Sequence, residues 1–466
     1  MDIKELYKLY QQHPCITTDS RNCPEGSIFL ALKGESFNGN KFALQALEKG
    51  CAYAIVDEEI EELSAQPSPL TSHLIKVDDC LQTFKDLARE HRRQFEMPMV
   101  GITGTNGKTT TKELIRAVLA ECYSVMATEG NFNNDVGVPK TLFRLDDQTE
   151  IAVVEMGASH PGDIKTLVET AEPTCGLITN VGRAHLQGFG SFEGVCKTKG
   201  ELYDFLIAHD CPIFVNRDNE YLMQMVSSHR SPLTSHPSPD IYYYGQSDNE
   251  DILIRGEVVS CAPFLKFRWR EQDHDAGYTS EWMEVQTHLI GAYNLDNMLA
   301  AITVGYVNNI PFEQINHALA NYVPTNNRSQ LTETEKNHLI VDAYNANPTS
   351  MKAAIDNFQL MEVSPKMAIL GMMGELGDVS QEEHQKVVAQ LQQAGFDEVW
   401  LVGAEFQKAV NGQWSIALPH LCECRRGEIC HRTRVATGPL YPHQGFKQHP
   451  PLRAPRPVIT YSFVAS

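Results

Sequence analysis

The stretch Met99-Val-Gly-Ile-Thr-Gly-Thr-Asn-Gly-Lys108-Thr109-Thr110-Thr111 constrains this chain more than any other. Val100 and Ile102 read as a buried strand. Gly101, Gly104 and Gly107 break it into a turn, and Lys108-Thr109 opens a helix continued by Glu113, Leu114, Ile115, Val118 and Leu119. Such a junction is an anion site, because unpaired backbone N–H groups and the positive end of the helix dipole meet there. Lys108 adds charge for the β- and γ-phosphates of a nucleotide, and the Thr109 hydroxyl suits Mg²⁺. Strict phosphate-loop spacing asks for glycine where Ile102 stands, so the generic motif is met loosely. The competing reading is a glycine turn before an ordinary helix. The flanking strand and helix favour the phosphate loop.

A chain of 466 residues exceeds one hydrophobic core, and about three domains are expected. A formal charge of −20 argues against non-specific binding to nucleic acid, so positive charge must be concentrated locally wherever an anionic ligand sits. No apolar run reaches the roughly 18 residues of a membrane span, and Met1-Asp2-Ile3-Lys4-Glu5 has no signal-peptide core. A cytoplasmic monomer is expected. The 12 Cys lack metal-type spacing through the first 400 residues and read as reduced thiols.

The chain divides into units at 1–97, 98–323, 324–414 and 415–466. The first shows strands at 26–32 and 52–56 around an amphipathic helix near 42–47, the pattern of a small α/β domain. Pro67-Ser-Pro-Leu-Thr-Ser-His73 reads as a surface loop, and its last six residues recur at 231–236 as a second loop insertion. In the central unit, buried-type strands at 151–155, 176–180 and 212–216 alternate with helices. They predict a mostly parallel sheet covered on both faces, with ligands at the strands' carboxyl ends. The third unit repeats the pattern with strands at 339–342, 366–370 and 398–402, giving an open α/β, Rossmann-like sheet. Residues 415–466 break from all this, with seven Pro, seven Arg or Lys against two acids, four His, three Cys and hardly any periodicity. A natural disordered tail is one reading; a native terminal strand and helix replaced by out-of-frame translation is preferred.

Three residues carry further chemistry. Glu155 ends an apolar strand, where a buried carboxylate costs several kcal/mol unless it is paired or metal-bound. Beside a phosphate loop it would face the Mg²⁺ held by Thr109. The alternative is a strand-end acid in solvent. His185 follows the strand at 176–180, and a lone histidine there is more often structural. Lys199, in Lys197-Thr-Lys-Gly-Glu-Leu-Tyr203, has only donors as an ammonium. It becomes an anionic oxygen ligand only if its free amine is carbamylated by CO₂, and on residue evidence alone it is a surface lysine.

Taken together, Gly104-Thr-Asn-Gly-Lys-Thr-Thr-Thr111, Glu155-Met-Gly-Ala, Asn180-Val-Gly-Arg-Ala-His185-Leu, the helix with Lys199, Asn294-Leu-Asp-Asn297 and Asp342-Ala-Tyr-Asn-Ala-Asn347-Pro resemble the Mur ligases. The resemblance runs in order over residues 15 to 410. It implies an ATP site formed by Gly104, Thr105, Asn106, Gly107, Lys108, Thr109 and Thr110. Thr109 and Glu155 would hold one Mg²⁺; Glu155, His185 and carbamylated Lys199 would hold a second. Asn294 and Asn297 would contact the adenine, with Tyr293 where relatives often carry His. Arg328 and Asp342 would close over ribose and γ-phosphate. Ser20, Arg21 and the Gly34–Gly39 loop would take the uridine end of the substrate, and Asn131 and Asn134 the muramoyl-peptide channel.

The stretches Asp342-Ala-Tyr-Asn345-Ala-Asn347-Pro348 and Leu370-Gly-Met-Met-Gly374-Glu375-Leu-Gly resemble the branch joining D-alanyl-D-alanine to UDP-N-acetylmuramoyl-tripeptide. This implies an acyl phosphate and a hinge near 323–328, with Asn345 and Asn347 on the substrate side. The rivals are a tripeptide-forming Mur ligase, a folylpolyglutamate synthase, and a nucleotide-binding relative impaired by its altered end. The family's closing strand and helix are not found in the sequence, so an exposed sheet edge, poor soluble yield and impaired turnover are expected.

Overall fold

A computed structural model of the chain describes residues 2–34, 36–60, 69–229, 239–261, 263–273, 277–325, 328, 330–334, 337–342, 345–410 and 456–461. The N-terminal sheet is wholly parallel, in the order Ile16–Thr17, Ile28–Leu30, Tyr53–Val56, Leu74–Lys76. Phe29, Leu30 and Ile55 are fully buried in one core with Leu6 and Tyr10 of the Ile3–Gln12 helix and Phe84 of the Cys80–Arg92 helix. The helix expected near 42–47 is a 3₁₀ turn, Gly39–Phe42, running into Ala43–Glu48. The loop expected to end at His73 instead closes as a 3₁₀ turn, Pro69–His73, anchored by His73 Nδ1 2.9 Å from the Ala52 carbonyl. The second copy of that hexamer lies outside the described residues.

The central sheet has ten strands among the described residues. Its parallel part runs Val125–Ala127, Ile151–Glu155, Met99–Thr103, Cys175–Ile178, Ile213–Asn216, Ile241–Gly245, Ile252–Cys261. Unbroken Val/Ile runs suit strands covered on both faces. The helices Lys108–Leu119 and Leu295–Val307 cover one face, and Asp163–Ala171 and Phe192–Ala208 the other. Beyond Ile252–Cys261 the sheet turns antiparallel through Phe264–Asp273, which pairs with Tyr278–Thr279 and Met283–Ile290. Along Phe264–Asp273, Leu265, Phe267 and Trp269 point inward at every second residue, the signature of a sheet with one wet face.

The third sheet is ordered Gln330–Glu333, Asn337–Val341, Arg456–Tyr461, Met367–Gly371, Glu398–Val402, antiparallel only at its first pair. The absence of a strand from residues 415–466 is therefore corrected at one point. Arg456-Pro-Val-Ile-Thr-Tyr461 inserts between Asn337–Val341 and Met367–Gly371, filling the sheet where an unpaired edge was expected. Its β-branched and aromatic residues favour a strand, but the run is short and set among prolines. The remainder of that stretch, on which the frameshift reading rests, lies outside the described residues. The nine described cysteines are free thiols, and no described helix is long and apolar enough to cross a membrane.

Candidate active site

The fully buried Met99–Thr103 strand delivers the chain to a loop that reverses on two glycines. Gly104 (φ 144°) and Gly107 (φ 80°) hold backbone that side chains rarely adopt. A Cβ on Gly104 would stand 2.0 Å from Thr179 Oγ1, and one on Gly107 2.6 Å from Asn297 Oδ1. Asn180 carries the loop from beneath: its Oδ1 accepts from Asn106 N (3.0 Å) and its Nδ2 donates to Asn106 O (3.0 Å). Thr179 Oγ1 also donates to Asn106 O (2.6 Å), and Gly182 N donates to Thr105 Oγ1 (2.9 Å). Lys108 and Thr109 then open the helix. Lys108 Nζ folds back onto the carbonyls of Gly104 (2.8 Å) and Thr105 (3.1 Å). Burial lowers its pKa from 10.5 to about 8, against the pull of Glu155 and with Arg328 adding repulsion. Thr110 is buried in the same first turn.

Glu155, 1% exposed, ends the neighbouring strand. Both its carboxylate oxygens lie within reach of the Thr109 hydroxyl (3.0 and 3.2 Å), and Oε1 also accepts from Asn133 Nδ2 (2.8 Å). A hydroxyl and a buried carboxylate converging beside a phosphate loop make an oxygen donor set of the kind Mg²⁺ takes, with the Asn133 amide N–H fixing the carboxylate. Asn133 was not singled out in the sequence; Asn131 and Asn134 were. Asn131 is exposed, while Asn134 Oδ1 is spent on Gly137 N (2.9 Å) at the start of the Gly137–Leu142 helix. Close packing against Gly157, where a Cβ would lie 2.9 Å from Asn133 Oδ1, seats this amide and not its neighbours beside Glu155. Lys112 was missed too. Fully buried, it donates to Thr128 O (2.5 Å), while Thr128 Oγ1 accepts from Glu155 N (3.0 Å).

His185 and Lys199 lie in the same electrostatic neighbourhood. Burial lowers the His185 pKa, the charges of Lys108 and Lys199 lower it further, and Glu375 opposes them. Lys199 is 2% exposed, with its ammonium 5.7 Å from the centre of the Phe189 ring and no hydrogen bond or ion pair among the described residues. Burial, and then Lys108, drive its pKa well below the ordinary lysine value; Asp163 and Glu201 resist. A surface lysine is excluded. The chain instead buries an amine that favours its free-base form.

The third domain docks on this loop. Asn106 and Asn347 exchange side-chain amide hydrogen bonds (2.7 and 3.3 Å), and Asn347 Oδ1 also caps the Pro348–Leu360 helix through Ser350 N (3.0 Å). Glu375 meets His185 Nδ1, and Arg183 lies 3.8 Å from Glu383. Arg328 is near enough to Lys108 to perturb it, and Asp342 follows the Asn337–Val341 strand. Asn294 and Asn297 form a buried chain. Thr111 Oγ1 donates to Asn297 Oδ1 (3.0 Å), Asn297 Nδ2 to Asn294 Oδ1 (2.8 Å), and Asn294 Nδ2 to Ile290 O (2.8 Å). No hydrogen bond or ion pair joins Ser20, Arg21, Asn131, Asn134 or Asn345 to the phosphate loop among the described residues. Ser20 is buried, and the exposed Arg21 guanidinium pairs with Asp19 (2.9 Å).

Three α/β domains, with a phosphate loop in the second and the third docked over it, define a class of ATP-driven ligases. Family models agree. Those described as "Mur ligase family, catalytic domain", "Mur ligase middle domain" and "Mur ligase, glutamate ligase domain" match residues 14–92, 102–305 and 327–423. The chain belongs to the Mur ligase family. Its likeness is to one branch. The UDP-N-acetylmuramoyl-tripeptide–D-alanyl-D-alanine ligase of Bacillus subtilis is 34% identical, over 83% of this chain and 79% of that protein. The Escherichia coli protein of the same name is 32% identical, over 84% and 81%. Among solved structures, MurF from Acinetobacter baumannii superposes with a TM-score of 0.75 at 29% identity, over 85% of this chain and 82% of that one. MurF from Thermotoga maritima, in complex with ADP, gives 0.73 at 26% identity, over 85% and 86%.

Proposed function

We propose that this protein joins D-alanyl-D-alanine to UDP-N-acetylmuramoyl-tripeptide at the cost of ATP, in the cytoplasm, as a step of peptidoglycan synthesis. One observation carries the reading: a buried carboxylate, Glu155, is tied to the first-turn hydroxyl of Thr109 at the mouth of a glycine cradle on which the third domain is docked. A carboxylate is a poor electrophile. One of the tripeptide's carboxylate oxygens therefore attacks the γ-phosphorus, the bond to ADP breaks, and an acyl phosphate forms. The free amine of D-alanyl-D-alanine then attacks the acyl carbon and loses a proton, and phosphate departs with the bonding pair.

The chain's residues supply position and charge. Amides of residues 107–109 and the Lys108 ammonium bind the phosphates, with phosphate oxygens replacing the carbonyls that Lys108 now engages, while the Thr105 and Asn106 amides stay on Asn180 and hold the loop's shape. Thr109 and Glu155 would hold one Mg²⁺, and Glu155, His185 and carbamylated Lys199 a second. What supports the set is that burial of Lys199 lowers its pKa and so favours the neutral amine, the form that reacts with CO₂. Bound there, the ions would neutralise charge on the transferred phosphoryl group. Asn133 holds Glu155 in place, and the Asn106–Asn347 pair keeps the third domain over the loop, excluding water from the acyl phosphate.

The test is ADP release from UDP-N-acetylmuramoyl-tripeptide and ATP with D-alanyl-D-alanine, compared with a single diamino acid and with glutamate. Only D-alanyl-D-alanine should support turnover. Turnover with either competitor alone would move the chain to a sibling activity, and release independent of any amine would mark a nucleotide-binding relative without ligation.

A further inference from the structure

Glu375 belongs to the third domain, in the loop after the Met367–Gly371 strand, yet its carboxylate meets His185 Nδ1 on the central domain. Backbone holds it there as well. The Glu375 carbonyl accepts from Gln187 N (3.2 Å), and a Cβ on Gly377 would sit 3.7 Å from Gln187 Cβ. Both partners are in left-handed backbone, Glu375 at φ 57° and His185 at φ 52°, so each is presented by a fixed turn. The imidazole meets Phe189 edge-on (6.4 Å, 80°), and the ring of Phe189 lies under Lys199 Nζ. An ionised carboxylate can only accept, so Nδ1 must be the donor. That fixes the tautomer and leaves Nε2 with its lone pair.

We propose that Glu375 is a positioning residue that orients His185 as an Nε2 ligand, so that the metal site on the central domain is complete only when the third domain is docked. Metal occupancy and domain closure are then linked, and each favours the other by the same factor. This rests on the reading of His185 as a ligand.

The experiment uses the full chain, a non-hydrolysable ATP analogue and Mn²⁺ followed by electron paramagnetic resonance, with closure followed by small-angle scattering. The unsubstituted protein should bind two ions and contract as they bind. Glu375→Ala should weaken one ion about ten- to hundred-fold, leave the other, and abolish the metal-dependent contraction. Glu375→Gln keeps an acceptor for Nδ1 and should restore most of the affinity. In a His185→Ala background the further change Glu375→Ala should do nothing to Mn²⁺ binding. Equal affinity in the unsubstituted and Glu375→Ala proteins, or an equal loss with and without His185, overturns the inference. Mn²⁺ binding indifferent to His185→Ala overturns the ligand reading beneath it, and the inference with it.

Discussion

Raising the pH should remove ATP from this protein by a route that runs through one side chain. Among the described residues Lys108 donates to the Gly104 and Thr105 carbonyls, and burial lowers its pKa to about 8. A triphosphate needs the ammonium, so binding must take up whatever proton the free lysine lacks. From a pKa of about 8, uptake should be roughly half a proton per ATP at pH 8, roughly a tenth at pH 7 and nearly one at pH 9. Apparent affinity should fall about tenfold for each pH unit above 8. The effect on the free protein has the opposite sense. In the unfolded chain the lysine titrates near 10.5, so between about 8 and 10.5 the unfolded state binds more protons, and this group raises stability as pH climbs. Calorimetric titration of the analogue with Mg²⁺, in two buffers of different ionisation enthalpy, counts the protons directly. The phosphate's own last proton leaves near pH 6 and does not contribute above pH 8. Lys108→Met should flatten the profile and weaken binding at pH 7. Zero uptake at pH 8, or uptake that survives Lys108→Met, refutes the reasoning.

Asn133→Ala removes a 2.8 Å hydrogen bond to a buried carboxylate; at about 1.5–3 kcal/mol for a charged bond, kcat/KM should fall roughly ten- to hundred-fold. An unchanged kcat/KM would take Asn133 out of the site. Asn347→Ser keeps a good helix cap but cannot reach Asn106. Thermal unfolding should be unchanged while turnover drops roughly fivefold, about 1 kcal/mol; a lowered Tm at full turnover would mean the residue serves only its helix. Gly104→Ala sets a Cβ 2.0 Å from Thr179 Oγ1 at φ 144°, with about 1–3 kcal/mol of backbone strain besides. It should lower Tm and abolish ADP binding by calorimetry; retained binding would show that the loop needs no glycine there.

What the sequence reveals and what it hides follow from how far each signal reaches. The phosphate loop is legible because strand, glycines and helix start are contiguous, and the inner parallel strands because Ile151–Glu155 or Glu398–Val402 are local apolar runs. The antiparallel edge of the central sheet shows only as the alternation of Leu265, Phe267 and Trp269, a weaker signal than an unbroken apolar run because the residues between them are charged or polar. Asn133 was hidden because Asn131-Phe-Asn133-Asn134 offers three like amides, and only the turn decides which faces Glu155. Lys199 illustrates a different limit. Nothing beside it in sequence announces burial, which comes from the packing of the Phe192–Ala208 helix and Phe189. The His185–Glu375 contact joins residues 190 apart on different domains, beyond the reach of any local pattern.

The central claim is that a carboxylate is made reactive by phosphorylation. UDP-N-acetylmuramoyl-tripeptide carrying a heavy-oxygen label in its reacting carboxylate, turned over with ATP and D-alanyl-D-alanine, tests it most directly by mass spectrometry of the released phosphate. One labelled oxygen should appear in each phosphate formed, because the attacking oxygen leaves with phosphorus. Phosphate released without label, while amide product accumulates, would contradict the account.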